Sequence, residues 1–421
     1  MKKTARKRTT KEAPKGVPLT EPLAAFVRQE LRSFVIAQGM IALATMLEED
    51  RTALCGEPYA RGKRGGPKRA GTAPGELVMG GRRVRVKRPR ARDEQGEVTL
   101  PSWAEFAATD PLGERALEQM VIGVSTRKYA RSLEDVPEEV ATRGTSRSAV
   151  SRRFKAMTQK QLDELMSRDL SDLAITTVMI DGLHFEEHVV VLAVGIDEGG
   201  QKHPLGLWEG ATENGAVCIS LLNDLVTRGL DAQRSMLFAI DGSKALRSAI
   251  GKIFGKRAVV QRCQEHKRRN VLGHLPKEMH PSVRKAIGDA YRSASAKTAK
   301  TRLKRLASSL EDDHPGAAAS LREGLDETLT VKALGLSLAL ERTLSTTNLI
   351  ENLNGGIRDV TRRVKRWRGG SMILRWVAAA VVDRARSFRR LRGYRSMPKL
   401  VAELRRNDAR LDPVEPEAEV A

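Results

Sequence analysis

Cysteines, long apolar segments and a secretion signal are scarce or absent in this sequence. The three cysteines, Cys55, Cys218 and Cys263, are widely spaced and odd in number, which fits a reducing compartment better than a disulfide framework. No run of about 18 or more apolar residues is present, so no membrane-spanning helix is predicted. Residues 1–8 lack the apolar stretch of a secretion signal. These absences predict a cytoplasmic protein without a membrane partner.

Acidic residues are few relative to basic ones. Lys and Arg number 74 against 52 Asp and Glu, which gives a net charge of +22. Such an excess implies an extended polyanion as partner, with nucleic acid the first candidate and a membrane surface the second. We therefore expect the protein to be nucleoid-associated. The 421 residues, 40% of them apolar, suffice for two or three domains.

The N-terminal part divides into a tail and a basic region. Residues 1–17 are rich in Lys, Arg and Thr and are predicted to be a disordered basic tail. Residues 18–110 are predicted to form one or two helices, up to about residue 49, and then a basic β-ribbon. Residues 76–92 alternate apolar and basic side chains across a Gly-Gly turn, which predicts one basic face on the ribbon. This face is either a solvated hairpin edge or, as the charge excess favours, a contact for phosphates; its residues are Arg83, Arg85 and Lys87.

Residues 111–172 have the pattern of a helix-turn-helix DNA-binding region. A helix is predicted over 112–122, a second over 125–135 with Ser125 as its cap, and a third over 147–155 with Ser146 as its cap. An ordinary basic three-helix bundle is the alternative. In a recognition helix, the exposed side chains of the third helix would reach base edges or phosphates in the major groove. These residues are Arg147, Ser148, Ser151 and Arg152.

Strand-like periodicity replaces helical periodicity from residue 174. Strands are predicted at 175–181, 187–196, 202–209, 235–241 and 257–262, with helices at 215–229 and 243–254. Three strands followed by alternating helix and strand predict an α/β fold, a mixed sheet flanked by helices. Two of the strands end in Asp-Gly, at Asp181 and Asp241. A carboxylate at the end of a buried strand is costly unless it is hydrogen-bonded or holds a cation, so the two acids suggest a shared divalent ion.

The second half of the chain has helical periodicity. The predicted core runs over 173–266; residues 267–340 are predicted to be an all-helical insertion with loops near Pro276, Pro281 and His314-Pro315. Residues 341–396 would complete the core with a polar helix at 346–366, which carries Glu351, and with further basic helices. The final segment, 397–421, is predicted to be a C-terminal tail.

Several motifs occur together in a fixed order. They are Gly-Val-Ser-Thr-Arg-Lys at 123–128, Val-Ser-Arg at 150–152, Asp181-Gly182, Asp241-Gly242, Gln-Arg-Cys-Gln-Glu-His-Lys-Arg-Arg-Asn at 261–270 and Thr-Thr-Asn-Leu-Ile-Glu at 346–351. In these residues the chain resembles the mutator-type bacterial insertion-sequence transposases, over roughly residues 70–395. The resemblance implies a ribonuclease-H-like catalytic core and an Asp-Asp-Glu (DDE) triad of metal ligands. The matching positions are Asp181, Asp241 and Glu351.

The resemblance also implies a chemistry and its partners. Two Mg²⁺ ions about 3.5 to 4 Å apart, with Mn²⁺ as a possible substitute, would activate the attacking oxygen and stabilise the leaving one. The implied function is binding of an element's terminal inverted repeats, followed by DNA strand cleavage and strand transfer. Double-stranded DNA would be the partner, with a homo-oligomer on DNA. The alternatives are a non-enzymatic DNA-binding regulator derived from such an element, and a structure-selective nuclease.

Each acid also has a purely structural interpretation. Asp181-Gly182 has the composition of a hairpin turn. Asp241 could be a helix cap, and Asn348 with Glu351 could form a capping box. Glu341 competes with Glu351 for the third acidic position. We prefer Glu351 because it lies in the motif that resembles the family.

Two further features concern zinc and DNA. Cys263 and His266 have the spacing of zinc ligands, but a closed site needs four ligands and no second pair is present; the resemblance implies a structural or DNA-positioning role. Residues 358–395 contain 13 Lys and Arg against two Asp, with interleaved aromatic residues. This imbalance favours contact with the DNA backbone. The selected contact residues are Arg362, Arg363 and Arg366.

Overall fold

The computed structural model of the chain describes residues 21–59, 66–108, 111–136, 140–210 and 215–412; for residues 21–33 and 35 it describes the backbone only. The predicted basic tail, 1–17, and the end of the predicted C-terminal tail, 413–421, lie outside the described residues. The chain divides into two compact units. The first comprises Met1–Met120 and Val124–Arg153, and the second Val121–Gly123 and Phe154–Ala421.

A long helix and a β-ribbon dominate the first unit. The predicted ribbon is present, and its turn is Gly80-Gly81, with φ of +58° and +77°. A two-residue hairpin turn with positive φ at both positions favours glycine at each. The ribbon packs against the long helix around buried Leu43, Leu47 and Leu77. The elements are α1 (Glu21–Cys55), β1 (Lys68–Met79), β2 (Arg82–Asp93), β3 (Gly96–Val98), α2 (Pro101–Ala108), α3 (Leu112–Val121) and β4 (Thr142–Arg143). A further helix, α4 (Arg147–Ser167), belongs to the first unit up to Arg153 and to the second unit from Phe154.

The prediction of a second helix over 125–135, within the helix-turn-helix, is wrong. In its place is one 3-10 turn, Ala130–Ser132. The Ser132 hydroxyl donates to the carbonyl of Tyr129 at 2.7 Å, a local bond that competes with helical pairing. Tyr129 is buried and its hydroxyl donates to the carbonyl of Gly81 at 3.0 Å. Tertiary contacts of Tyr129 therefore select a compact turn over a regular helix.

A five-stranded mixed sheet forms the centre of the second unit, as the sequence predicted. Its strands lie in the order β7-β6-β5-β8-β9; β5, β6 and β7 are antiparallel, and β8 and β9 run parallel to β5. The elements are β5 (Ile175–Phe185), β6 (His188–Asp197), β7 (Lys202–Gly210), α5 (Gly215–Thr227), β8 (Met236–Ile240), α6 (Lys244–Phe254) and β9 (Ala258–Arg262).

The hydrophobic core of this unit lies between the sheet and its helices. Leu221 and Leu225 of α5 and Ile250 of α6 are fully buried against Phe238 and Ile240 of the sheet. Nearly every residue of β6 is buried. Strands of this kind need cover on both faces, since either face alone would expose apolar surface to water.

The remainder of the second unit is helical. The helices α7, α8, α9 and α10 surround a core of their own that contains Val271, Ile287, Leu303 and Leu321. Within the described residues, no helix is long and apolar enough to cross a bilayer. The helices are α7 (Gln264–Gly273), α8 (His280–Tyr291), α9 (Ala296–Ser309), α10 (Pro315–Arg322), α11 (Thr330–Ala333), α12 (Leu338–Leu344), α13 (Asn348–Thr361), α14 (Gly370–Ala385) and α15 (Met397–Leu411).

Two further predictions about these helices are wrong. Pro281 lies in the first turn of α8 and not in a loop, since a proline at that position sacrifices no helical hydrogen bond. The predicted tail, 397–421, begins with α15. Met397, Leu400 and Leu404 recur at helical spacing and are buried, so this segment has an apolar face that packs on the unit.

Candidate functional site

The first two predicted acids lie on neighbouring parallel strands. In the pairing of β5 with β8, Thr177 is opposite Leu237 and Met179 is opposite Ala239. Continuing this register by two residues places Asp181 beside Asp241. The sheet therefore brings together two carboxylates that are 60 residues apart in the sequence.

Asp181 is not in a hairpin turn. β5 continues past it to Phe185, and the strand connection contains Glu186, which has φ of +51°. One carboxylate oxygen of Asp181, Oδ1, accepts the amide of Gly182 at 3.0 Å. The other, Oδ2, accepts Nδ2 of Asn354 at 2.7 Å. The side chain is thus held by α13 as well as by its own strand.

Asp241 follows the last residue of β8 and precedes α6. Its Oδ1 accepts the amides of Gly242 at 2.6 Å and Ser243 at 2.8 Å. The helix cap is Ser243, whose hydroxyl accepts the amide of Leu246 at 3.3 Å. Asp241 is therefore not the cap of α6, and within the described residues its Oδ2 has no hydrogen-bond partner.

Glu351 lies in the first turn of α13. Oε1 accepts the hydroxyl of Thr347 at 2.8 Å and lies 3.7 Å from Nδ1 of His266. Oε2 lies 3.6 Å from the guanidinium of Arg269. The residue before the helix is Thr347 rather than Asn348, and its side chain contacts Glu351 instead of a backbone amide, so the capping-box interpretation does not hold.

Glu341, the competing third acid, has a different environment. Its carboxylate pairs with Lys332 Nζ at 2.7 Å, and both side chains are largely buried. Lys332 also donates to the carbonyl of Ser293 at 3.0 Å. These contacts engage Glu341 in a structural ion pair between α11 and α12.

The three acids influence one another electrostatically. Burial and, after it, the negative charges of Asp241 and Glu351 raise the pKa of Asp181 to about 6, against the lowering effects of the Gly182 amide and His266. Within the described residues, neither Asp181 nor Asp241 has a Lys or Arg ion-pair partner. The nearby basic side chains, His266 and Arg269, contact Glu351 instead, so the carboxylates of Asp181 and Asp241 remain available to a metal ion.

The side chains at the three acids have the chemistry of ligands for a hard cation such as Mg²⁺. Carboxylate oxygens are the preferred ligands of this hard cation, and here they come from separate elements. Asn354 adds an amide whose Oδ1 is buried and without a partner within the described residues. When two ions lie about 3.5 to 4 Å apart, different carboxylates can bind different ions. The three acids therefore do not all have to contact the same ion.

Cys263, His266 and Glu351 form the tightest group of potential metal ligands. One atom of each lies within 4.8 Å of the others, whereas Asp181, Asp241 and Glu351 do not form such a group among the described residues. Thr347 joins the three, because its amide donates to Cys263 Sγ at 3.4 Å and its hydroxyl lies 3.3 Å from His266 Nδ1.

Hydrogen bonds within this group shift the pKa values of two of its members. Burial raises the pKa of the Cys263 thiol, but hydrogen bonds from His266 and Thr347 outweigh burial and lower that pKa below its usual value. The hydrogen bond with Cys263 raises the pKa of His266, and burial opposes it less strongly. Cys263, His266 and Thr347 are therefore linked by hydrogen bonds beside Glu351, and Nδ1 of His266 lies 3.7 Å from its carboxylate.

The predicted DNA contacts of α4 and of the segment after α13 are exposed. Arg147, Ser148, Ser151 and Arg152 lie in the first turns of α4. Arg362, Arg363 and Arg366 follow α13, which ends at Thr361 and not at the predicted residue 366. The interleaved aromatics pack internally: Trp367 lies 5.3 Å from Phe185 and Trp376 lies 4.6 Å from Phe154, between ring centroids.

Asn354 is the site residue that sequence reasoning missed. It is 2% exposed and follows Glu351 by three positions, so both lie on the same face of α13. A polar residue one helical turn after a predicted metal ligand was the available signal.

Comparisons with known proteins identify the family of this chain. The model of the family described as "Transposase, Mutator family" matches residues 27–390. The transposase for insertion sequence element IS256 in transposon Tn4001 of Staphylococcus aureus is 28% identical over 311 residues, which cover 71% of this chain and 76% of that protein. The transposase for insertion sequence element IS1081 of Mycobacterium tuberculosis is 26% identical over 359 residues, 81% and 82% of the two chains. Because the family match spans most of its length, this chain belongs to the Mutator family of transposases.

Proposed function

We propose that this chain is the DDE transposase of a bacterial insertion sequence. It binds the element's terminal inverted repeats as an oligomer and performs Mg²⁺-dependent strand cleavage and strand transfer. The strand order β7-β6-β5-β8-β9 is the order expected for a ribonuclease-H-like core. The single observation that supports the proposal is the parallel pairing of β5 with β8. Continued by two residues, this pairing sets Asp181 beside Asp241, and the charge of Glu351 on α13 also raises the pKa of Asp181.

In this proposal each acid has a defined task. Asp181, Asp241 and Glu351 hold the ions, which supply activation of the attacking oxygen and stabilisation of the leaving one. Asn354 orients Asp181. Thr347 and His266 orient Glu351 from one side, and Arg269 from the other.

DNA would be held by the basic surfaces. Arg147 and Arg152 of α4 are candidates for contact with the terminal repeat, and Arg362, Arg363 and Arg366 for contact with phosphates. Contacts with phosphates position a duplex but do not read its sequence.

The test is an in vitro assay on linear DNA that carries a terminal repeat, with Mg²⁺. Asp181→Asn, Asp241→Asn and Glu351→Gln are expected to abolish cleavage while they preserve binding of the repeat. Glu341→Gln is the matched control, because Glu341 pairs with Lys332. It is expected to lower stability by about 3 kcal/mol, as the loss of one partner leaves a buried charge, and to retain cleavage per folded molecule.

Other outcomes would favour other functions. Retention of cleavage by any of the three acid variants would remove that residue from the site. A wild-type protein that binds the repeat but cuts no DNA would support the non-enzymatic regulator. Short inverted repeats bracketing the gene, with duplicated target sequence beyond them, would favour the transposase.

A further inference from the structure

A basic groove lies along a neighbouring face of α13, next to the candidate site. Its volume is about 710 Å³, and the cations that line it are Lys202, Arg342, Arg390 and Arg392. None of its lining residues is acidic. Other cavities in this unit include a carboxylate, such as those of Glu198, Glu327 and Glu323. Positive charge in this groove is therefore left for a ligand to balance.

The groove begins one residue away from the site. Asn348 and Asn352 line it, and because they are four residues apart, they share a face of α13 that adjoins the face of Glu351. Thr346, which also lines it, precedes the Thr347 that donates to Glu351. The groove and the third acid therefore share one helix, so a DNA strand with a phosphate at Glu351 would pass close to the groove.

The walls of the groove are fixed by backbone contacts. The amide of Leu391 donates to the carbonyl of Gly200 at 2.9 Å, and the hydroxyl of Thr343 donates to the carbonyl of Arg392 at 3.1 Å. Gly393 has φ of +88°, and a Cβ there would lie 2.5 Å from the amide of Leu340. The backbone that carries Arg390 and Arg392 is thus held by hydrogen bonds. A fixed backbone reduces the conformational entropy that the protein loses when a ligand binds.

The lining combines three kinds of chemistry. Arginine side chains suit phosphates, and the amides of Asn348 and Asn352 suit the donors and acceptors of a base edge. Leu338, 59% exposed, and Leu349 add an apolar surface for the face of a base. Paired DNA keeps its base faces stacked inside the duplex, whereas an unpaired nucleotide presents phosphate, base edge and base face together.

We propose that this groove binds an unpaired nucleotide of the DNA strand adjacent to the scissile phosphate. The inference rests on the proposed transposase function and gives α13 two tasks on adjacent faces, with Glu351 at the reacting phosphate and Asn352 at the neighbouring nucleotide. The volume falls within the range of about 300 to 1,000 Å³ that is usual for small-ligand sites.

The test compares terminal-repeat duplexes with blunt ends and with short 3′ or 5′ single-stranded overhangs. Binding is measured by fluorescence anisotropy in EDTA, so that no cleavage intervenes. Wild-type protein is expected to bind one overhang more tightly than the blunt duplex. Arg342→Gln with Arg392→Gln, and separately Asn352→Ala, are expected to weaken overhang binding by about fivefold or more and blunt binding by less than about twofold.

The charge-matched control is Arg284→Gln with Lys285→Gln, two exposed residues on α8, which is expected to affect both duplexes equally. Equal losses on blunt and overhang DNA from the groove variants, or no overhang preference in wild-type protein, would overturn the inference. If the groove variants lose overhang binding selectively but neither they nor the wild type cut DNA, the inference about the groove is supported and the proposed catalysis is wrong. If the wild type binds no terminal repeat, both fall.

Discussion

The amide of Asn354 donates a 2.7 Å hydrogen bond to the carboxylate of Asp181, a residue 173 positions earlier in the chain. This bond ties α13 to the central strand β5. Glu351 lies one turn before Asn354 on the same helix. The contact that orients the first acid therefore also fixes the helix that carries the third.

Removal of the Asn354 amide is expected to weaken metal binding rather than DNA binding. Residues that orient metal ligands typically change metal affinity by about 10- to 100-fold when they are substituted. Asn354→Ala should raise the Mg²⁺ concentration for half-maximal cleavage about tenfold, as measured by single-turnover cleavage. Asn223→Ala, an exposed asparagine on α5, is the control. An unchanged Mg²⁺ dependence in Asn354→Ala would exclude the orienting role.

The raised pKa of Asp181 predicts how stability depends on pH in metal-free protein. Its folded-state pKa is about 6 against an ordinary value of 3.8, so between these values the folded state retains a proton that the unfolded state releases. The free energy of unfolding should therefore fall as pH rises from about 4 to about 6. Urea unfolding in EDTA across this range measures the slope. Asp181→Asn should reduce it, and an identical slope in that variant would contradict the assignment.

Protons and Mg²⁺ should also compete for Asp181. Cleavage at limiting Mg²⁺ is expected to decline as pH falls below about 6, because the protonated carboxyl is a poor ligand. Higher Mg²⁺ concentrations should shift the decline to lower pH. A pH profile that does not respond to the Mg²⁺ concentration would show that another group controls it.

The group of Cys263, His266 and Glu351 is expected to work without zinc. His266→Ala should slow cleavage while it leaves terminal-repeat binding intact, since Nδ1 of His266 lies 3.7 Å from the Glu351 carboxylate and helps to hold it. Mass spectrometry of the native protein should find no stoichiometric zinc, and zinc chelators should leave the Tm unchanged. Stoichiometric zinc that disappears in His266→Ala would replace the ion-pair interpretation with a metal site.

Arg362, Arg363 and Arg366 are expected to contribute to DNA binding through charge alone. Replacement of all three by Gln should weaken binding to repeat and scrambled duplexes equally, and should reduce the slope of log K against log salt by up to about three. The control replaces Arg284, Lys285 and Arg305, which are exposed on α8 and α9. The interpretation fails if the salt slope stays at the wild-type value.

The sequence predicted the sheet well because burial and periodicity are local signals. The runs that became β5, β6 and β8 are apolar enough to be recognised without a partner, and the helix-like pattern after Asp241 excluded a hairpin there. The helix over 125–135 was wrongly predicted because a tertiary contact of the buried Tyr129 decides the local structure there. α15 differs, because the helical spacing of Met397, Leu400 and Leu404 is a local signal that the prediction of a tail overlooked.

The parts of the site that sequence could not supply depend on long-range contacts. Neither the spacing of Asn354 from Asp181 nor the ion pair of Glu341 with Lys332 has a signature in composition or periodicity. The choice of Glu351 over Glu341 came from resemblance to a family, and the structure adds the physical difference between their environments. Contacts between residues far apart in the sequence can be identified only when the fold is known.

Anomalous diffraction from crystals of the protein with Mn²⁺ and a terminal-repeat duplex most directly tests the central claim. Two Mn²⁺ peaks about 3.5 to 4 Å apart are expected, bound by Asp181, Asp241 and Glu351 and adjacent to a phosphate. Peaks away from these carboxylates, or one ion held by Cys263, His266 and Glu351 alone, would contradict it.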